Sequence, residues 1–551
     1  MKHAWLERRT GWPGLVAAFL EERIPGGARW AYVFGSALVL LLSAQLLSGL
    51  GLALSYSPSV PAAWASVARL EQSGTGHLLR ALHAHGATFL LVVASLHLLQ
   101  TALSGAYRAP REVSWWLGLV LFGVLFAFCI TGSLLPWDER GYWATRVTIG
   151  IAAQVSPGTA RVLSAGADLG NLTLTRFYAL HAMLLPLVLV ALGTAHVAGV
   201  HRHGVTPPPG ADLSKDEPFW PRQALYDAAF ALLLLAGLLA LALQSGAPLQ
   251  APADPAGAAS PRPDWYFRPI FELLKHVPEK VATLLVPGAA ALFLALLPVL
   301  DRKGTRRLPV LLALAGGFAG AVGLGALSYR ADARSPVFQQ AERDGEQRAA
   351  RARSLAAARG VPPEGALAML QDQPDERGKR LFARACAECH GEPAGPAVPA
   401  ATAPHLGKGF LSRAWIRGAL ERPDDPAYWG HAKISGMESY AALGEEKLSR
   451  LTSFLYALRS HAAQDPRLDS ERRLYLQAGC AECHALEEGK AAGAPSLAGY
   501  GSAKWLTGLL RDPGAAFYYD AQNRMPDFGT RLAPADLDDL AAFLSSLEGA
   551  P

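Results

Sequence analysis

Seven stretches of this chain are almost continuously apolar, near residues 31–54, 81–104, 115–135, 178–200, 224–244, 281–300 and 308–328. About 20 helical residues at 1.5 Å each cover a hydrocarbon core, so every stretch is long enough to cross a membrane as a helix. The segment before residue 30 is amphipathic rather than a continuous apolar run, so it is not read as a cleavable signal peptide. After the seventh stretch, a charged, Ala-rich segment from 339 to 359 reads as a solvated helix or linker. Two acidic-apolar helical stretches follow, Glu445 to Leu458 and Ala535 to Leu547. The pattern predicts an all-α chain: a seven-helix transmembrane bundle, then two small helical domains.

Two of the apolar stretches each carry a pair of histidines, His83 and His97 on the second and His181 and His196 on the fourth. The members of a pair stand 14 and 15 residues apart, about four turns, so each pair shares a helix face with roughly 21 Å between its members. An ionisable group inside a bilayer is costly enough to signal function, and a neutral imidazole is a standard axial ligand of haem iron. Four in matched register predict two metals clamped between two helices, one near each membrane face. The plain alternative for any one of them is an interior histidine bonded to a carbonyl. His77 and His85, without partners in register, take that plain reading. Gly35 and Gly49 on the first stretch and Gly118 and Gly132 on the third repeat the 14-residue step. A missing side chain there lets a flat macrocycle lie against the helix backbone.

Composition divides the chain. It is 51% hydrophobic, yet its mean hydropathy of +0.17 is too low for an all-membrane protein and too high for a soluble one. Short loops carry Arg108 and Arg111 after the second stretch and Arg302, Lys303, Arg306 and Arg307 after the sixth. The positive-inside rule puts these loops and the N-terminus in the cytoplasm, and an odd number of crossings then exports the C-terminal third. A net charge of +5 needs nothing more than those basic loops, so no nucleic-acid partner is expected.

Four of the five cysteines lie in two copies of one pentapeptide, Cys386-Ala387-Glu388-Cys389-His390 and Cys480-Ala481-Glu482-Cys483-His484. This is the pattern of covalent haem c attachment: two thiols form thioethers and the adjacent histidine stands under the iron. Such attachment happens outside the cytoplasm, where the helix count puts these motifs. Only two methionines lie downstream, Met437 and Met525, and they are the candidate sixth ligands. These segments resemble class I cytochromes c. Met525-Pro526-Asp527-Phe528-Gly529 fits that family, whereas Met437-Glu438-Ser439-Tyr440 lacks the proline, and His431 is a competitor to Met437.

Upstream, Leu82-His83-Ala84-His85-Gly86-Ala87, Thr131 through Asp138, and Pro263-Asp264-Trp265-Tyr266 resemble the cytochrome b of quinol-oxidising bc complexes over residues 1 to about 330. The 15-residue histidine step and the segment from Tyr107 to Trp115 look more like the chloroplast-type branch, with its four-helix cytochrome b and three-helix subunit IV fused into one polypeptide. The domains are then 1–29, an amphipathic cytoplasmic segment; 30–223, a four-helix di-haem cytochrome b; 224–330, the subunit-IV-like part; 331–374, a linker; and two cytochrome c domains, 375–462 and 463–551.

The resemblance implies the rest of the site. Two non-covalent haem b groups are held by His83 with His181 and by His97 with His196, and two haem c by His390 and His484 with Met437 and Met525. Such six-coordinate irons offer no open position, so they carry electrons and the chemistry falls to a docked quinol. Asp264, where the family more often has Glu, is the proton acceptor of the quinol-oxidising site, with Pro263 and Tyr266 at its wall and the segment from Pro136 to Thr145 on its other side. His201 and Asp227 match the quinone-reducing site of the mitochondrial branch. Arg80 matches the arginine beside the outer haem's propionates. Its inner counterpart is missing, Gln100 standing there, with Arg108 or Arg111 as substitutes. No third membrane haem is expected, because Tyr32-Val33-Phe34-Gly35 offers no cysteine. Cys129 reads as a small buried apolar residue.

The implied activity is that of a quinol:cytochrome c oxidoreductase core subunit in a bacterial inner membrane. One electron goes to a separate Rieske iron-sulfur protein and one to the b haems, and the c haems serve a soluble cytochrome c or terminal oxidase. All exported cysteines are already in haem motifs, which is why the Rieske protein must be another chain. A homodimer is expected. The alternative is a non-bifurcating haem conduit linking another dehydrogenase to the quinone pool. Such a conduit leaves the Asp264 loop and three further spans unexplained.

Overall fold

A computed structural model describes every residue except 1–4, 6, 7, 167, 258–261, 303, 305, 306, 392–402, 405, 408, 430–436, 461–464, 488–493, 521, 522 and 549–551. The chain divides into two compact units, Met1–Met369 and Leu370–Pro551. In the first unit the seven apolar stretches are seven helical spans, 30–53, 74–104, 112–134, 171–203, 219–245, 281–300 and 307–333. The second and fourth begin seven residues earlier than their apolar runs. Their first turns carry polar residues that the hydropathy pattern alone assigns to loops.

Capping fixes these ends. The second span, α4 (Gly74–Ser104), starts where the Ser73 hydroxyl accepts the Gly76 N–H and stops at Gly105, whose φ of 71° a side chain would disfavour. It packs on the first span, α2 (Val33–Ala53), and on the fifth, α10 (Ala224–Ser245). The third span, α5 (Glu112–Leu134), packs on the fourth, which runs through α8 (Asn171–Ala179) and α9 (Leu185–His203). Many large apolar side chains of the spans face outward, Leu47 at 72% and Leu233 at 68% exposure among them, as lipid-facing helices require.

The connections are structured. An amphipathic helix α1 (Trp12–Leu20) leads into strand β1 (Arg23–Pro25), which pairs antiparallel with β2 (Asp216–Pro218) and ties the N-terminal segment to the loop before the fifth span. Helix α3 (Val60–Gln72) follows the first span, and α6 (Glu139–Val155) and α7 (Pro157–Ser164) follow the third. Asp138 caps α6, accepting from the Gly141 and Gln250 N–H groups. Burial pushes its carboxyl above the usual range. The sixth and seventh spans end in α12 (Val286–Leu300) and α13 (Arg307–Ala333), preceded by the short α11 (Arg268–Leu273).

The segment read as a solvated helix or linker is a helix, and a docked one rather than a solvated one. It forms α14 (Pro336–Arg359), whose Ala349, Ala352 and Ala356 are buried on one stripe. The helix lies on α3, Arg348 pairs with Glu139 at 2.9 Å, and Arg353 donates to the Leu249 carbonyl at 2.6 Å. The small size of alanine hid this face from the hydropathy pattern: a stripe of methyl groups allows close helix approach without raising apparent hydrophobicity.

The second unit contains α15 (Pro374–Ala385), α16 (Arg413–Glu421), α17 (Glu445–Ala457), α18 (Asp469–Gln477), α19 (Ala503–Arg511) and α20 (Pro534–Ser546). Two side-by-side domains, 375–462 and 463–551, are the expectation. The helices pair differently: α15 packs against α20, and α17 against α18. Two apolar cores result, each drawing on both sequence repeats. α17 and α18 are consecutive along the chain, with residues 458–468 between them, so their pairing is the sequence-local one.

Candidate functional site

The four histidines meet in two pairs inside the bundle. The ring centres of His83 and His181 are 6.2 Å apart, and those of His97 and His196 are 6.5 Å apart. A metal–imidazole bond of about 2 Å on each side, plus about 1 Å from nitrogen to ring centre, calls for roughly 6 Å. The separations therefore suit one iron between each pair.

The 15-residue step on the fourth span has a local cause. Leu180–Leu184, which contains His181, is a π-helical turn, and it is followed by Pro186, which has no N–H to donate. The wider turn absorbs one residue, so His181 and His196 keep the register that 14 residues give on the second span. Periodicity alone puts the two pairs in approximate alignment; the π turn removes the mismatch.

Three of the four imidazoles are oriented through Nδ1. Ser48 already donates its hydroxyl hydrogen to the Ala44 carbonyl and Thr131 donates to that of Ala127. Their oxygens therefore accept from His83 Nδ1 at 2.9 Å and His181 Nδ1 at 3.1 Å. His196 Nδ1 donates to the Ser114 carbonyl at 2.9 Å. These bonds leave Nε2 for a metal, as second-shell partners of ligating histidines do. His97 Nδ1 is buried with no hydrogen-bond partner among the described residues.

Each of the four glycines faces one of the four imidazoles. A Cβ on Gly132 would fall 2.6 Å from His181 Cε1, on Gly49 3.1 Å from His83 Cε1, on Gly118 3.2 Å from His196 Cε1 and on Gly35 4.0 Å from His97 Cε1. The glycines thus make room for the ligand rings themselves, a closer role than a bed for the macrocycle. His85 bonds the Gly246 carbonyl at 2.7 Å, as its plain reading has it, whereas His77 is part-exposed and bonds the Glu71 carboxylate at 2.7 Å.

Arg80 is buried, with Glu71 at 2.6 Å and the carbonyls of Ala247 and Pro248 at 2.9 and 2.6 Å. A protein carboxylate thus occupies it where a propionate is expected. The two substitutes for the missing inner arginine are also engaged: Arg108 pairs with the buried Asp301, and Arg111 donates to the carbonyls of His203 and Gly204. Gln100 bonds Ser104.

The Pro263-Asp264-Trp265-Tyr266 segment lies just before α11. The Tyr266 hydroxyl donates to Asp264 Oδ2 at 2.9 Å, and Arg140 of α6 stands 3.8 Å from Oδ1. Burial, followed by the neighbouring Asp264 charge, raises the Tyr266 phenol above its ordinary value, so it stays a donor. Phe126 of the third span faces both Tyr266 and Phe267 with ring centres 6.1 and 6.0 Å away. Asp264, Tyr266 and the 136–145 segment therefore do converge. Two members escaped the sequence reading. Arg140 lies within the 136–145 segment but was not singled out there, and Cys129, read as plain core, lies against the Tyr266 hydroxyl.

The second expected quinone pair is less close. His201 Nδ1 meets Glu22 at 2.8 Å beside Phe19, while Asp227 is held by Ser36 at 2.5 Å and Gln223 at 2.7 Å. Each has its own partners.

In the second unit, His390 Nδ1 donates to the Pro404 carbonyl at 2.8 Å and His484 Nδ1 to the Pro495 carbonyl at 2.7 Å, which again leaves Nε2 for iron. None of the four motif cysteines is in a disulfide. Met525 is fixed through its backbone by Asn523 in both directions, at 2.8 and 2.9 Å. His431 lies outside the described residues.

Comparison with known proteins agrees with this geometry. Residues 88–252 match the family model of cytochrome b(N-terminal)/b6/petB and residues 252–314 that of cytochrome b(C-terminal)/b6/petD; residues 376–459 and 472–548 each match cytochrome c. The chain is 31% identical to cytochrome b of Rhodobacter capsulatus over 52% of its own length and 69% of that protein, and 32% identical to cytochrome b of Rickettsia typhi over 55% and 79%. It is 31% identical to cytochrome b/c1 of Bradyrhizobium diazoefficiens, over 55% of its own length but only 46% of that relative. A chain of a hyperthermophilic respiratory complex III shares the fold, with a TM-score of 0.53 and 24% identity, over 66% of this chain and 98% of that one. The chain belongs to the cytochrome b family, the membrane haem subunit of bc-type quinol–cytochrome c oxidoreductases, and carries two cytochrome c segments behind it.

Proposed function

We propose that this chain is the quinol-oxidising subunit of a bacterial inner-membrane complex, with its N-terminus cytoplasmic and its c segments outside. The observation that carries the reading is the convergence of Asp264, Tyr266 and Arg140 at the end of a bundle that holds two imidazole pairs at iron-ligand separation. The haems, two b with bis-histidine and two c with histidine–methionine ligation, supply one-electron transfer, dividing the quinol's two electrons between a Rieske protein and the b pair.

Oxidising a quinol releases two protons, and Asp264 is positioned to take one. Its carboxylate is about one-third exposed, so a proton accepted at Oδ1 has a path to water. Arg140 holds the charge of the empty carboxylate, and Tyr266 fixes its orientation through Oδ2. Phe126 and Phe267 form an apolar wall suited to a quinone ring. His201 and Asp227, near the opposite end, are the groups for a second quinone site, and Asp227 reaches it only by releasing Ser36 or Gln223. A homodimer and a soluble cytochrome c or terminal oxidase as acceptor complete the assembly.

Purification from the native membrane tests this. The expected preparation contains an iron-sulfur subunit and reduces its b haems on adding quinol, more fully when the inner quinone site is blocked. A preparation without that subunit, or without quinol-dependent b-haem reduction, overturns the reading.

A further inference from the structure

The second unit exchanges helices between its two sequence repeats, and the exchange places each haem motif beside the other repeat's methionine. α15, which leads into Cys386, crosses α20 so closely that a Cβ on Gly378 would fall 1.9 Å from the Asp539 carbonyl oxygen. Arg377 clamps the crossing with two bonds to Asp539, at 2.6 and 2.7 Å, and Phe382 faces Phe543 with ring centres 5.4 Å apart. The core around this crossing contains Cys386 and Met525. The other core, where Phe454 of α17 meets Tyr475 of α18 at 5.6 Å, contains Cys480 and Met437.

The methionine loops keep to their own repeats. The Tyr440 N–H donates to Leu420 at the end of α16, and the Phe528 N–H donates to Leu510 at the end of α19. Only the leading helices and their pentapeptides have changed places. Tyr440, three residues after Met437, touches the Cys480 sulfur and so brings the first repeat's methionine loop onto the second repeat's motif. The stretch 412–501 is in effect a circularly permuted module, its methionine helix ahead of its haem motif, inserted into the other module.

We propose that the two c haems are ligated crosswise: the haem bonded to Cys386 and Cys389 over His390 takes its sulfur ligand from Met525, and the haem bonded to Cys480 and Cys483 over His484 takes its from Met437. This rests on reading the pentapeptides as haem attachment sites. The first cysteine of each motif and the methionine assigned to its haem then belong to one packed core, whereas ligation in sequence order requires a methionine to leave the core it packs in.

The test uses the full chain in its membrane. Cys480→Ser with Cys483→Ser leaves only the first c haem beside the two b haems; Met525→Leu or Met437→Leu is then added. Crosswise ligation predicts that the far-red sulfur-to-iron absorption band and the high reduction potential disappear with M525L and survive M437L. Survival in M525L with loss in M437L overturns the proposal.

Should the chain with a single c haem fail to fold, the protein with both c haems answers through the helix crossing. Arg377→Glu lowers the melting temperature and Asp539→Arg in the same chain recovers much of the loss. Loss without recovery contradicts the crossing. Failure of the underlying reading looks different: the unmodified protein would retain no covalent haem on a denaturing gel.

Discussion

The membrane unit and the C-terminal unit build their histidine centres under opposite constraints. In the membrane unit each ligand sits on a rod of 20 or more residues, and a bilayer leaves such a rod few choices of depth or direction. Register along the sequence becomes register in space, and His83 meets His181 as His97 meets His196. In the C-terminal unit the helices run 9 to 13 residues, and two repeats of one family give each helix a counterpart of similar length. There the loop between repeats decides the pairing. Periodicity predicts partners where the elements are long and distinct, and it leaves them open where they are short and duplicated.

The comparison breaks most visibly at the ligands themselves. His83→Ala should remove one b haem completely from the optical spectrum and leave both c haems, which a reduced-minus-oxidised spectrum reads directly; loss of all four signals together would mean the two units do not hold their haems independently. Next is the glycine series. Gly132→Val must push the His181 ring aside and should also cost that b haem, while Gly35→Ala, with 4.0 Å of room, should retain its own. Equal outcomes at the two positions would show that the ring contacts are not the constraint.

Asp264→Asn keeps the shape of the Tyr266 contact but cannot take a proton. Quinol oxidation should fall by roughly a hundredfold or more with quinol affinity little changed, the range for loss of a general base. A smaller effect arises at Ser48→Ala, which leaves His83 Nδ1 without its acceptor. Haem affinity at that site should drop by about 10- to 100-fold, measured as haem loss to a scavenger, with the His97 site unaffected. The smallest concerns the docked strap: Ala352→Glu should speed tryptic cleavage within α14 severalfold without altering the b-haem spectrum, and unchanged cleavage would show that the alanine stripe contributes little.

How legible the molecule was follows from the same contrast. Seven spans and the pairing of the four membrane histidines were readable, because long apolar runs and matched spacings are properties of the sequence itself, while Asp264 and Tyr266 were named only through the resemblance of their motif. Arg140 was placed only as part of the 136–145 segment and Cys129 not at all, since nothing in their local sequence records which side chains a loop over 120 residues away folds back onto. Arg80 was readable as a buried cation but not as the partner of Glu71, because choosing among several nearby anions needs coordinates. The π turn at His181 was invisible for a subtler reason: one extra residue looks like imperfect register until the wider turn is seen to absorb it. The helix exchange is recorded only in isolated charge pairs, Arg377 with Asp539 and Arg450 with Glu471, which no local pattern singles out before the crossing is seen.

Closure of α15 by α20 also sets an order of assembly. A ribosome makes the first pentapeptide well before the second, yet the chamber of the second is complete once residues 412–501 have emerged, while that of the first waits for the final helix of the chain. The earlier motif is therefore the later one to be enclosed, and a chain cut short before Pro534 keeps one finished chamber and one permanently open.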